Sequence, residues 1–221
     1  MRAKEFWNAF SEKVMSTTST RDELVKLWNN SKDFTDRMTE IISDIIKEYD
    51  KTLTVQPEYL RIDVPARKKN NGNGSVFCGE EKKFEKYDWN LEIAVEHEND
   101  YRLWMDEVIK LAHINCPLRV VIGYVHVKKD ESGNNVSRDK TQKKQLKILN
   151  KVADILEDNV IAWNNINPLY PNDFMIILGD GNVKTDDSKC YYTPYLYDRK
   201  EKCFKEGTEY WAQRSNQNGR T

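Results

Sequence analysis

Hydrophobic positions in the first fifty residues recur at helical spacing. Phe6, Trp7, Phe10 and Val14 predict an amphipathic helix over about 4–15. A second, over about 20–28, opens on Thr20 with Glu23 three residues later, a capping-box pattern. Phe34, Met38, Ile41, Ile42, Ile45 and Ile46 form one stripe of a third helix over about 33–49. The period then shortens. Residues 53–64 read as strand broken at Pro57, with Leu60, Ile62 and Val64 alternating against Arg61 and Asp63. A Lys-, Asn- and Gly-rich loop over 67–74 leads to a short strand at Val76, Phe77 and Cys78. Between 89 and 97 the alternation is clearest: Leu91, Ile93, Val95 and His97 share one face, Glu92, Ala94, Glu96 and the following Glu98 the other.

Further on, the pattern predicts a helix over about 100–114, opened by Asn99 and Asp100 as caps. The nearly unbroken, β-branched run 118–125 predicts a central strand buried on both faces. A long helix over about 137–163 carries Leu146, Leu149, Ala153, Leu156, Val160 and Trp163 on one side. A buried strand over 174–178 closes in a turn at Gly179, Asp180 and Gly181, a hairpin spans about 190–206, and the last ten residues are expected to fray. Helices, a three-strand meander, helix, strand, helix and strands make an α/β sandwich with a mixed sheet, preceded by a helical segment over about 1–50.

Composition narrows this picture. The 221 residues hold no stretch long or polar enough to be a linker, so one domain over 1–221 is expected. Six Trp, 11 Tyr and 7 Phe give a core its bulk despite a charged fraction of 32%. A net charge of -1 means that any nucleic-acid surface must be a local patch. Cys78, Cys116, Cys190 and Cys203 are too far apart to form a paired motif, and the N-terminus lacks the pattern of a signal peptide. Free thiols in a reducing cytoplasm are expected. No apolar run approaches the ~20 residues of a membrane span.

Candidate chemistry comes from the acids. Carboxylates two residues apart on one strand face lie ~6.6 Å apart and repel one another. On a buried strand, Glu96 and Glu98 require bound cations, basic partners or raised pKa values, whereas on a wet edge strand they would be ordinary solvated residues. Asp63 adds a second acid on the preceding strand. An Asp on a hydrophobic strand, then Glu-x-Lys on the next long strand, a helix and a buried strand resembles the core of the PD-(D/E)XK, or restriction-endonuclease-like, nuclease superfamily. Here the matching residues are Asp63, then Glu96, His97 and Glu98, the helix with Trp104, Glu107 and Lys110, and the run 118–124, within a core of about 35–180.

The resemblance implies a restriction-endonuclease-like sheet flanked by helices and Mg²⁺ or Mn²⁺ held by Asp63, Glu96 and the His97 backbone carbonyl. Glu98 stands where the superfamily usually has Lys. The resemblance allows two substitutes: a Glu-x-Glu site in which Glu98 helps bind metal, or a displaced lysine, Lys110, reaching back from the helix. Lys110 alternatively pairs with Asp106 on an exposed helix face. Some members add an acid from the helix preceding the Asp strand, here Glu40, Asp44 or Glu48, each of which also reads as a solvated surface residue. The basic loop with Arg67, Lys68 and Lys69 is a candidate phosphate contact, and Lys140, Lys143, Lys144 and Lys147 form a second basic row.

Other chemistries find no support. His97, His113 and His126 lack metal-ligand spacing, and there is no nucleophile elbow, P-loop or dinucleotide fingerprint. The resemblance implies a metal-dependent endonuclease acting on DNA, in restriction or another defence, with a homodimer by analogy, and no membrane is expected. Its counterparts are a nuclease-fold protein that has lost catalysis and binds a protein or nucleic acid, and an acidic docking protein. Composition does not separate DNA from RNA.

Overall fold

The computed structural model describes residues 1–58, 61–68, 75–77, 83–85, 90–100, 102–114, 116–125, 138–159, 173–180 and 192–218. Helix α1 (Ala3–Ser11) buries Phe6 and Phe10 and runs into a π-helical turn (Glu12–Ser16) that buries Val14. Helices α2 (Thr18–Leu27) and α3 (Ser31–Tyr49) follow. The chain then forms β1 (Leu53–Val55), β2 (Val64–Lys68), β3 (Ser75–Phe77), β4 (Lys83–Glu85), β5 (Asn90–His97), α4 (Trp104–Ala112), β6 (Leu118–Val125) and α5 (Arg138–Asn159). It ends with β7 (Asp173–Asp180), β8 (Tyr192–Asp198), β9 (Cys203–Glu206) and α6 (Gly207–Asn218).

Seven strands form one mixed sheet in the order β1-β2-β5-β6-β7-β8-β9, and β3 pairs with β4 separately. The middle strands β5, β6 and β7 are parallel, joined through α4 and α5, and antiparallel strands extend the sheet on both sides. Each face carries its own core. Leu118, Val120, Ile122 and Tyr124 of β6 pack with Phe6, Phe10, Met38 and Ile42 of the N-terminal helices. Val121 and Val125 pack with Trp104, Val108 and Leu111 of α4 and Leu149 of α5. Burial on both faces is why β6 reads as an almost continuous apolar run.

Several expectations shift. The strand read over 53–64 is two strands separated by a turn, and β2 begins only at Val64, so Asp63 lies in the bend before it. Arg67 and Lys68 belong to β2 instead of a loop, and Lys69 lies outside the described residues. The register of β2 on β5 slips between Ala66 and Arg67, which face Ile93 and Leu91, and Glu92 is left as the extra residue of a bulge. Alternation therefore breaks there, and Leu91 packs into the second core while Ile93 and Val95 belong to the first.

Thr20 does not cap α2, which begins at Thr18, and Glu23 pairs with Arg37 of α3 at 2.9 Å. Nor do Asn99 and Asp100 cap α4, whose N-cap is Leu103. Asn99 instead donates to Ser31 and Thr35 at the start of α3. Strand β7 continues through Gly179 and Asp180, pairing with Tyr124 and Val125 of β6. Added at Gly179, a Cβ would lie 2.8 Å from the Tyr124 ring, so the close approach, and no turn, explains this glycine. The residues expected to fray include most of α6, which packs on β8 and β9 and buries Tyr210 in the first core. Leu156, Val160 and Trp163 lie outside the described side chains, as do Cys78 and Cys190, and the described Cys116 and Cys203 are free thiols. Among the described residues no helix is long and apolar enough to cross a membrane.

Candidate functional site

Antiparallel pairing brings two distant acids together. Val64, the first residue of β2, sits opposite Val95 near the end of β5, so the bend before β2 lies against Glu96 and His97. The His97 N–H donates to Asp63 Oδ2 at 2.7 Å, and the Asp63 N–H donates to Glu96 Oε2 at 3.4 Å. On the way into this bend Glu58 and Arg61 both have φ of 61°. This left-handed region is rare for residues with a side chain. Glu58 N–H donates to the Asp63 carbonyl at 2.9 Å, and Ile62 anchors the loop in the second core.

The third component arrives from α4. Trp104, Val108 and Leu111 dock this helix on the sheet, with Trp104 lying over Gly123. Glu107 and Lys110, one turn apart, consequently face the acids. Lys110 Nζ lies 2.9 Å from Glu96 Oε1, donates to the Arg61 carbonyl at 2.8 Å and contacts Glu107 Oε2. The Glu96 side chain is 1% exposed and that of Lys110 34%. Towards both carboxylates the ammonium makes ion pairs without hydrogen-bond geometry.

Electrostatics follow from this crowding. Burial, reinforced by the Asp63 and Glu107 charges, outweighs Lys110 and pushes Glu96 up to about 8. Asp63 is also raised, by burial first and by Glu107, against the His97 N–H and Lys110. Glu98 is raised by burial and then by Glu107, Asp100 and Asp63. Burial works against the charge of Lys110, but Glu107 and Glu96 more than offset it and raise its pKa.

The remaining candidates lie as follows. Glu98 turns its carboxylate back to accept from the Asp100 N–H at 2.7 Å. Lys110 faces Glu107 and Glu96, whereas Asp106 is exposed on the outer side of α4. Glu40, Asp44 and Glu48 are exposed on α3, which packs on the opposite face of the sheet from Glu96. Two are taken up elsewhere, Glu40 by Arg37 at 3.0 Å and Glu48 by Lys13 at 2.7 Å. None joins the site. Arg67 and Lys68 occupy the far end of β2, with Lys68 opposite Asn90, about five strand residues or ~16 Å from Asp63. Lys140, Lys143, Lys144 and Lys147 are exposed on α5.

His97 divides its roles. Its main chain holds Asp63, while its imidazole points into the first core, where Nε2 meets the Tyr124 hydroxyl at 3.0 Å and burial lowers its pKa to about 4. Glu107 is the member that sequence reasoning left without a role. Its position three residues before Lys110, on the same inner side as Trp104, was the available signal.

Carboxylate oxygens are hard donors and suit Mg²⁺ or Mn²⁺ in kind. In placement they differ from a finished cage. Among the described residues no three His, Cys, Asp or Glu side chains converge tightly enough to hold a metal. The 2.9 Å ammonium contact also exceeds the ~2.0–2.1 Å of a magnesium–oxygen bond. No family model, no curated protein and no solved structure matches the chain.

Proposed function

We propose that the protein is a divalent-metal-dependent endonuclease that hydrolyses DNA phosphodiester bonds, acting in the cytoplasm in restriction or another defence. One observation carries this reading: Asp63, Glu96 and Lys110, from a bend, a strand and a helix, converge beside the end of β5. The order of β2, β5, α4 and β6 is also the order in which the nuclease-like pattern places its Asp strand, Glu strand, helix and buried strand.

Asp63 and Glu96 would hold Mg²⁺ or Mn²⁺. Such an ion supplies a water activated for attack and charge stabilisation at the scissile phosphate. The His97 N–H fixes Asp63 Oδ2 and so orients the carboxylate before any ligand arrives. Lys110 brings a cation to Glu96, as a displaced lysine would in a pattern whose usual lysine position is here Glu98. Near a bound phosphodiester, that ammonium would stabilise the developing charge. A homodimer, by analogy with enzymes that cut both strands, would suit this activity.

Cleavage of supercoiled plasmid, single-stranded DNA and RNA with Mg²⁺ or Mn²⁺ tests this reading. Asp63→Ala and Glu96→Ala are each expected to slow cutting by about 100-fold or more. A second reading, a catalytically silent nuclease-fold binding module, draws on the same geometry: the Lys110 ammonium already lies against Glu96, and Glu98 is turned towards Asp100. Folded wild type that cuts none of these substrates with either metal would replace the first reading by the second.

A further inference from the structure

The ammonium of Lys110 sits among oxygens from three separate elements. These are the Arg61 carbonyl at 2.8 Å, the Glu96 carboxylate at 2.9 Å and the Glu107 carboxylate. Three acceptors match the three N–H groups of a lysine, although the two carboxylate contacts are ion pairs without hydrogen-bond geometry. The Arg61 carbonyl belongs to a residue held at φ 61°. A non-glycine residue in this region is strained, and the surrounding contacts must offset that strain. Glu96, almost wholly inaccessible, would face an unbalanced burial cost without a cation beside it.

We propose that Lys110 is a tethered counter-cation, occupying the divalent-cation position of the site and yielding it when a metal binds. The inference rests on the same acidic site as the nuclease reading, but concerns how the site is filled. Ammonium–oxygen contacts of 2.8–2.9 Å hold the oxygens further apart than ~2.1 Å metal bonds would, which accounts for a set of suitable donors that forms no tight cage. Glu107, one helical turn from Lys110 and more exposed than Glu96 (23% against 1%), is the partner that retains the ammonium after it leaves Glu96. Lys110 itself is 34% exposed, so it has a path outwards, whereas Glu96 has none. Ammonium and metal thus compete for one buried carboxylate, and the chain carries its own competitor.

Titration of the metal-free protein with Mn²⁺ by calorimetry tests this without reference to cleavage. Lys110→Met keeps the aliphatic stem and removes the charge. It is expected to tighten the Mn²⁺ dissociation constant by about tenfold or more, and Lys110→Arg to leave it near wild type. Equal or weaker binding by folded Lys110→Met, or no Mn²⁺ binding by either protein, overturns the proposal. Binding by Lys110→Met where wild type binds none overturns it as well, because the lysine then holds the position without yielding it.

Should Lys110→Met fail to fold, labelling of wild-type lysines with N-hydroxysuccinimidyl acetate decides. Acetylation of Lys110, read by mass spectrometry, should rise several-fold on adding Mn²⁺, and an unchanged rate counts against displacement. An intact affinity order with no cleavage of any nucleic acid ends the nuclease reading and leaves this one standing.

Discussion

A methyl group at Gly123 would meet Trp104 before it met anything else: a Cβ there would lie 2.6 Å from Cγ and 2.7 Å from Cβ of that side chain. Both contacts fall at the root of a fully buried indole, where rotation about the side-chain bonds gives little relief. Trp104 is also the first residue of α4, so the clash pushes on the helix that carries Glu107 and Lys110. Gly123→Ala is expected to cost about 1–3 kcal/mol, read as a lower urea midpoint with an unchanged slope. An unchanged midpoint would mean that α4 is free to shift and that its docking does not fix Lys110. At this scale the sequence was partly readable. Asp63 and Glu96 stood out as acids on strand-like segments, but Glu107 did not, because an acid on an amphipathic helix looks the same whether it meets solvent or a half-buried lysine. For the imidazole of His97, strand alternation gave the face but not the tyrosine it meets there.

The β8–β9 hairpin shows how an element is held by one charge. Asp198 accepts from the N–H groups of Lys200 at 2.9 Å and Glu201 at 3.3 Å and pairs with Lys205 at 2.9 Å. Burial alone would raise its pKa, but the Lys205 contact and the two turn N–H groups pull it below 3.8. A carboxyl with a depressed folded pKa stabilises fully above its unfolded value and loses that contribution as pH falls through the folded one. Asp198→Asn should therefore lower the melting temperature at neutral pH, at a cost of about 1 kcal/mol, with the gap to wild type closing below about pH 4. A gap independent of pH would assign the effect to shape alone.

Elements such as this hairpin, α3, β5 and β6 were legible because each pairs a strong periodicity with a clear stop. The bounds of β2 were not, since Pro57 and the left-handed Glu58 and Arg61 fold what reads as one strand into a strand, a turn and a later strand. Helix α6 has too few apolar residues to announce itself and owes its place to Tyr210 and Trp211 packing against the first core.

At the scale of the molecule, the sheet separates two cores that share their strands residue by residue. Ile122 of β6 belongs to one and Val121 to the other. Opening either core strips one face of β6 and β7, so the two should unfold together. Ala3 and Arg2 strengthen this coupling by tying the start of α1 to Asp173 on β7, at 3.1 and 3.3 Å. Native-state hydrogen exchange in low urea should then give the innermost amides of α3, α4 and β6 the same opening free energy, with the same urea dependence. The opposing expectation is also physical. Helix α4 is nine residues long and has Met105 and Ile109 exposed along its outer side, with its N-cap Leu103 exposed too, so it could open ahead of the sheet. The difference matters for the site. Asp63 and Glu96 stand on or beside the sheet, whereas Glu107 and Lys110 ride on α4, so a separate opening of α4 would remove the cation and leave the acids in place. Faster exchange confined to α4, with a smaller urea dependence than the rest, would make the site a joint between two cooperative units. Uniform exchange would make it a fixed part of one, with only the Lys110 side chain left to move when a metal arrives.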